Sequence, residues 1–229
     1  MRKLVLFDID GTLVLTGAAG LRAMNKACED LVGHADALSG IPVAGRTDRI
    51  ILSDVAERCG RTLDEALLAE LRERYLEHLR TEIERPGRGV KAVMPGIREL
   101  LTALEQRDDV FLGLLTGNFE TGARIKLEHF GLWRYFRCGA YGDDAADRNA
   151  LVPFAVDRAR SRGLPDLASE HIFVVGDTPH DVACARAAGA VPVAVATGSF
   201  TVEQLRATGA DIVFQDLSAT DDFLALLDL

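Results

Sequence analysis

The chain has 229 residues, 48% of them hydrophobic, enough for one large domain or for one domain carrying an insert. Its formal net charge of −9 argues against a nucleic-acid backbone or an anionic membrane as the main partner, because phosphates would be repelled. Small phosphorylated substrates stay open, since a local cation can reverse the field of the whole protein.

Met1-Arg2-Lys3 precedes the apolar run Leu4 to Phe7, which Asp8 cuts off. The run is too short for a signal peptide and reads as a strand buried on both faces. Asp8 and Asp10 then sit two residues apart at the strand's C-terminal end, where they would be costly to bury unless they met a cation or a proton in a cleft. Gly11 lets the chain turn away sharply. An acidic turn or the start of a calcium loop would look similar, but the twelfth position of such a loop, counted from Asp8, is Ala19 rather than Glu.

Residues 16–86 read as helical. Leu21, Met24, Cys28 and Leu31 share one face, as do Leu68, Leu71, Tyr75 and Leu79 further on. Gly45 to Asp48 interrupts before a short helix through Ile50-Ile51-Leu52, and Pro86-Gly87-Arg88-Gly89 reads as a linker.

From residue 90 helix and strand alternate. Pro95-Gly96 precedes a helix through Leu100, Leu101 and Leu104, and Val110 to Leu115 is a buried strand. Further strands are predicted over Arg137 to Tyr141, Ile172 to Val175, Val191 to Ala196 and Asp211 to Phe214, with helices over 119–130, 149–162 and 180–188, the last ended by Gly189. This alternation implies an α/β fold with a doubly wound parallel sheet, interrupted just after its first strand by an inserted α-helical cap domain. The expected boundaries are 1–15 and 87–229 for the sheet domain and 16–86 for the cap.

Three later strand ends carry candidate chemistry. Thr116-Gly117-Asn118 offers a hydroxyl and backbone N–H groups as an anion cradle, or else a turn with Asn118 capping the next helix. Gly176-Asp177-Thr178-Pro179-His180-Asp181 places two carboxylates on one side of a helical turn. One could ligate a metal while the other holds a metal-bound water or orients a basic residue; the bland reading is helix capping. Arg148, opening the helix before that strand, could aim a fixed charge at a phosphoryl group or be a solvated surface arginine.

Cys28, Cys59, Cys138 and Cys184 lie far apart without Cys-x-x-Cys spacing, which fits neither a zinc site nor a disulfide framework. Reduced thiols and, with no apolar stretch of membrane-spanning length, a cytoplasmic location are the simplest expectation.

Together these motifs resemble the haloacid dehalogenase superfamily in its capped phosphatase branch, and most closely its phosphoglycolate-phosphatase-like hydrolases. Asp8-Ile9-Asp10-Gly11-Thr12-Leu13 matches the first motif, Thr116 the second and Gly176-Asp177 to Asp181 the fourth. The third motif departs: where the family usually offers a lysine, the matching helix start carries Arg148, and Lys126 is the other nearby candidate.

The resemblance implies a Rossmann-like core, Asp8 as a nucleophile that forms an aspartyl-phosphate, and Asp10 as general acid and then base. It implies Mg²⁺ held by Asp8, the backbone carbonyl of Asp10 and Asp177, with Asp181 behind them. Thr116, Gly117 and Asn118 would hold phosphoryl oxygens while Arg148 adds positive charge. Arg46, in the cap loop Gly45 to Asp48, is a candidate substrate contact or simply a solvated helix start. The expected partner is a small phosphorylated metabolite such as phosphoglycolate, a sugar phosphate or a nucleotide, with no nucleic acid or membrane, and the protein a monomer or homodimer. A phosphomutase of the same superfamily is the alternative, and a non-catalytic binding protein a more distant one.

Overall fold

A computed structural model describes residues 2–228. In chain order its principal elements are β1 (Lys3–Phe7), β2 (Val14–Thr16), α1 (Ala19–Val32), α2 (Asp48–Arg58), α3 (Glu65–Glu82), β3 (Lys91–Val93), α4 (Ile97–Glu105), β4 (Val110–Leu115) and α5 (Glu120–His129). They continue with β5 (Cys138–Ala140), α6 (Leu151–Ser161), β6 (Ile172–Gly176), α7 (Pro179–Ala187), β7 (Val191–Val195), α8 (Val202–Ala207), β8 (Ile212–Phe214) and α9 (Thr220–Leu227). No described helix is long and apolar enough to cross a membrane.

Six strands form a parallel sheet in the order β5-β4-β1-β6-β7-β8. The unbroken apolar runs of β1 and β6 follow from coverage on both faces. Val5, Phe7, Phe173 and Val175 join one core with α4 and α9, while Leu4, Leu6, Ile172 and Val174 join another with α6 and α7. The strand order reverses at β1, and in such sheets the crevice beyond the strand ends at that point is where ligands bind. The register Phe7↔Val175 and Phe7↔Leu114 brings the residues after β1, β6 and β4 to one level at this edge.

The antiparallel pair β2–β3, for which the sequence pattern predicts no strands, carries the chain out to α1–α3 and back. These three-residue strands are too short to show a period. α1–α3 pack around their own core, in which Leu52, Leu71, Tyr75 and Leu79 are buried and Phe119 is the one buried contributor from the sheet side. The expected face of α1 needs correction. Ala19, Ala23, Met24, Ala27 and Cys28 are its buried residues, and Leu21 is 40% exposed. Small side chains let α1 approach α3 closely, which turns the larger Leu21 outward.

Other boundaries shift modestly. Residues 149–162 divide into a 3₁₀ turn, Arg148–Ala150, and α6. Strand 137–141 shortens to β5, and Gly189 follows α7 with φ of 68°, as a C-terminal glycine should. α8 and α9 were missed, although Thr201 and Gln204 form a capping box that is visible in the sequence.

Glu82 ties α3 to α1. It is 2% exposed, yet its carboxylate accepts hydrogen bonds from Arg22 Nε and Lys26 Nζ, both at 2.6 Å, and from Arg85 at 2.8 Å. Burial alone would raise its pKa, but these cations outweigh it and hold the group down at about 2. The folded pKa lies below the ordinary 4.5, so the contribution to stability is full above 4.5 and is lost as pH falls toward 2. Glu82→Gln is expected to cost about 2 kcal/mol at pH 7, less than a fully buried pair because its partners reach solvent. Thermal unfolding from pH 7 to pH 3 should show a shallower acid loss in E82Q than in the wild type. Parallel curves would remove the pair from the stability of α1–α3.

Candidate active site

The site is built at the carboxyl ends of β1, β4, β6 and β7. Asp8 follows β1 and is 4% exposed, with its N–H donated to the Val175 carbonyl at 2.9 Å. Asp177 follows β6, and Thr12 Oγ1 donates to its Oδ1 at 2.9 Å. Asp181, on the first turn of α7, completes a set of carboxylates whose oxygens lie within 4.8 Å of one another. Burial pushes Asp8 up to about 6, against the pull of Arg148, while Asp181 and Asp10 push it further. Burial and the charges of Asp181 and Asp8 raise Asp177 to about 8.

Arg148 is the cation at the centre of this set. It is 6% exposed, which removes the reading of a solvated arginine. Its Nη2 lies 3.1 Å from Asp8 Oδ1, also pairs with Asp181 Oδ1, and reaches the Leu115 carbonyl at 3.2 Å. Its Nη1 reaches the Gly45 carbonyl at 3.3 Å, and its buried Nε has no partner among the described residues. Asp181 spends its other oxygen on Thr178, accepting from the backbone N at 3.0 Å and the hydroxyl at 2.8 Å. Thr178, rather than Asp177, is thus the N-cap of α7. With both oxygens used, Asp181 orients the arginine and leaves Asp8 and Asp177 to face the cleft.

The donor set suits a hard divalent cation. Three buried carboxylates outnumber the single guanidinium among them, and for Asp8 and Asp177 burial first and neighbouring carboxylates second oppose ionisation unless positive charge is added. Room is kept by two glycines: a Cβ at Gly11, where φ is +88°, would lie 2.5 Å from Asp177 Oδ2, and one at Gly198 would lie 1.7 Å from it. The Thr197-Gly198 loop after β7 was not singled out in the sequence, although it repeats the strand-Thr-Gly pattern of Leu115-Thr116-Gly117. Thr197 Oγ1 donates to the Gly11 carbonyl at 2.6 Å and fixes that loop against the first motif.

A second polar network surrounds Asp10. Lys126 Nζ donates to Asp10 Oδ2 and to Asn118 Oδ1, both at 2.6 Å, and Asn118 Nδ2 donates to Asp10 Oδ2 at 2.9 Å. Lys126, the other candidate for the third motif, is 4% exposed. Arg148 contacts Asp8 and Lys126 contacts Asp10, which divides the two candidates for the third motif between the two carboxylates of the first. Thr116 is fully buried, and its Oγ1 accepts from Asn118 Nδ2 at 2.7 Å, leaving its own proton to donate. Asn118 does not cap α5. Asp48, from the far side of the cleft, accepts the Phe119 N–H at 2.9 Å instead.

The loop 45–48 docks directly on this edge. Asp48 N donates to the Gly117 carbonyl at 2.7 Å, and Thr47 Oγ1 to the Ala146 carbonyl at 2.9 Å. A Cβ at Gly117 would fall 2.2 Å from the Arg46 carbonyl, so glycine is required there for close approach. The Arg46 side chain borders the cleft but is paired with Asp54 at 2.6 Å and donates to the Pro42 carbonyl at 2.9 Å. Between the strand ends and α1–α2 lies a cavity of about 500 Å³.

Residues 5–195 match the family model described as haloacid dehalogenase-like hydrolase. The chain is 33% identical to a phosphoglycolate phosphatase of Rhodospirillum rubrum, over 98% of this chain and 91% of the relative. It is 31% identical to one of Agrobacterium fabrum, over 96% and 91%. The crystal structure of a predicted phosphoglycolate phosphatase from Haemophilus somnus 129pt has the same fold, with a TM-score of 0.71 at 19% identity over 97% of this chain and 98% of that one. On the matched span and these near full-length relatives, the chain belongs to the haloacid dehalogenase-like hydrolases.

Proposed function

We propose that this phosphoric monoester hydrolase cleaves a small phosphorylated metabolite by way of a phosphoryl group carried on Asp8. The supporting observation is the Asp8 carboxylate, held by Arg148 at 3.1 Å beside Asp177 and opening on a cleft lined by Thr116 and Asp10. Names of relatives favour phosphoglycolate as one substrate to try.

In this reading Asp8 attacks phosphorus and the leaving alkoxide departs on the side of Asp10. Asp10, oriented by Lys126 and Asn118, protonates that oxygen and later takes a proton from the water that releases phosphate. The Thr116 hydroxyl and the N–H groups near Gly117 hold phosphoryl oxygens, and Arg148 opposes the charge gathered on them. Asp8, Asp177 and the Asp10 carbonyl would hold Mg²⁺, which when bound screens the nucleophile from the anionic substrate. Residues 16–86 would act as a cap that keeps water out, its loop 45–48 closing on Gly117.

Asp8→Asn keeps the shape and removes the anionic nucleophile. Phosphate release is expected to fall by about three orders of magnitude or more with the thermal midpoint little changed. Near-normal turnover would end the covalent reading.

EDTA should abolish release of phosphate from an ester panel containing 2-phosphoglycolate, and Mg²⁺ should restore it, because the ligands are hard oxygens. Turnover without any bisphosphate activator distinguishes hydrolysis from the mutase alternative. Full activity in chelator would contradict the metal assignment.

The two cations should separate kinetically. Arg148→Ala is expected to lower kcat/KM by about 10²-fold or more, with part of the loss recovered in Arg148→Lys. Lys126→Ala, acting through Asp10, should hurt alkyl esters far more than p-nitrophenyl phosphate, whose leaving group needs no proton. Equal losses on both ester classes in Lys126→Ala would detach it from Asp10.

A further inference from the structure

The cavity has two chemically different halves. The strand ends supply only glycines and polar or charged side chains, among them Asp8, Thr116 and Arg148. Every aliphatic side chain larger than alanine comes from residues 15–90: Leu15, Leu21, Met24, Val43, Ile51 and Val90. Leu21 is 40% and Val90 63% exposed, which makes them two of the three large apolar side chains left exposed among the described residues. Exposed apolar groups gathered on one concave wall mark a binding surface rather than chance.

The cations of the lining are mostly committed. Arg148 and Lys126 are paired within the catalytic groups, and Arg46 with Asp54. Arg88 is exposed and has no side-chain partner among the described residues, so it is the cation left for an acidic substituent. A two-carbon acid would fill little of about 500 Å³ and would leave the aliphatic wall against water.

Resting on the hydrolase reading above, we propose that the site prefers phosphate monoesters of bulky, uncharged, apolar alcohols, aryl-alkyl in character, over short carboxylated ones. The phosphoryl group enters the polar half, and the alcohol lies along Leu21, Met24, Ile51 and Val90. Asp8 attacks at phosphorus as the P–O bond to the alcohol breaks and Asp10 protonates the departing oxygen; water, deprotonated by Asp10, then breaks the bond from phosphorus to Asp8 and releases inorganic phosphate.

2-Phenylethyl phosphate, ethyl phosphate and 2-phosphoglycolate are all esters of primary alcohols, so their kcat/KM ratios read the remote group more than the leaving-group basicity. With Mg²⁺ present, the phenylethyl ester is expected to exceed each of the other two by about 10–100-fold. Leu21→Asp and Val90→Asp, both at exposed positions that do not threaten the fold, should each lower the phenylethyl-to-ethyl ratio at least about fivefold, since a charge desolvated against the ring is costly. A ratio near one, or a ratio unmoved in both variants, overturns the proposal. So does a preference for 2-phosphoglycolate that disappears in Arg88→Gln, which would assign the site to a carboxylate.

Calorimetry with the non-hydrolysable 3-phenylpropylphosphonate and 3-phosphonopropionate separates this proposal from the catalytic one. Tighter binding of the phenyl compound without turnover of any ester sustains the specificity and sinks the hydrolase reading. Equal or weaker binding overturns the specificity whatever the turnover.

Discussion

The crowding of buried carboxylates at the edge of the sheet governs the rest of the structure. Adjacent parallel strands lie about 4.8 Å apart, and the register Phe7↔Val175 brings Asp8 and Asp177 out at neighbouring ends. α7 adds Asp181 one turn later. Such a cluster is unfavourable unless positive charge is supplied, and the chain supplies one guanidinium from the 3₁₀ turn at Arg148. The turn is itself held down, since the buried Cys184 thiol donates to the Arg148 carbonyl at 3.1 Å. Burial drives that thiol up to about 12, so it stays a donor at ordinary pH. Charge still lacking in the cluster is what a divalent ion would bring.

A second constraint is that α1–α3 reach the edge of the sheet through polar contacts while burying most of their apolar surface among themselves. From the sheet side their core takes only the buried Phe119 and the half-buried Ile125, so the two cores share little. What joins them is a seam of directional bonds: Asp48 to the backbone of Gly117 and Phe119, and Thr47 to Ala146. Hydrogen bonds of this kind are worth little net when water can replace them, so the seam holds the two parts less firmly than an apolar contact of the same extent would. Asp48 is the costly member. Burial pushes its carboxyl up to about 6 despite the nearby Lys126 and the Phe119 N–H.

The polar seam and the apolar wall both come from residues 15–90. Turning Leu21 outward, because alanines occupy the contact with α3, gives α1 one face for its core and another for the cavity. In the proposed reading the division of labour is spatial, with reaction groups on the strand ends and the surface for the alcohol supplied by residues 15–90.

The sequence by itself determined the strands buried on both faces, the alternation of helix and strand and the two pairs of acids at strand ends. These are local signals, carried by unbroken apolar runs and by spacings of two and four residues. It also singled out Thr116 and Asn118 by their place after a strand, and Arg148 by its place at the start of a helix. It did not reveal β2 and β3, each too short for a period, or the outward Leu21, whose neighbours at helical spacing looked equally apolar. Which cation serves which acid was settled only in three dimensions. Lys126 lies 116 residues from Asp10 along the chain, and Arg148 lies 33 from Asp181. No local pattern encodes such pairs; they exist because parallel strands deliver distant segments to one edge, where each buried charge takes the partner within hydrogen-bonding reach.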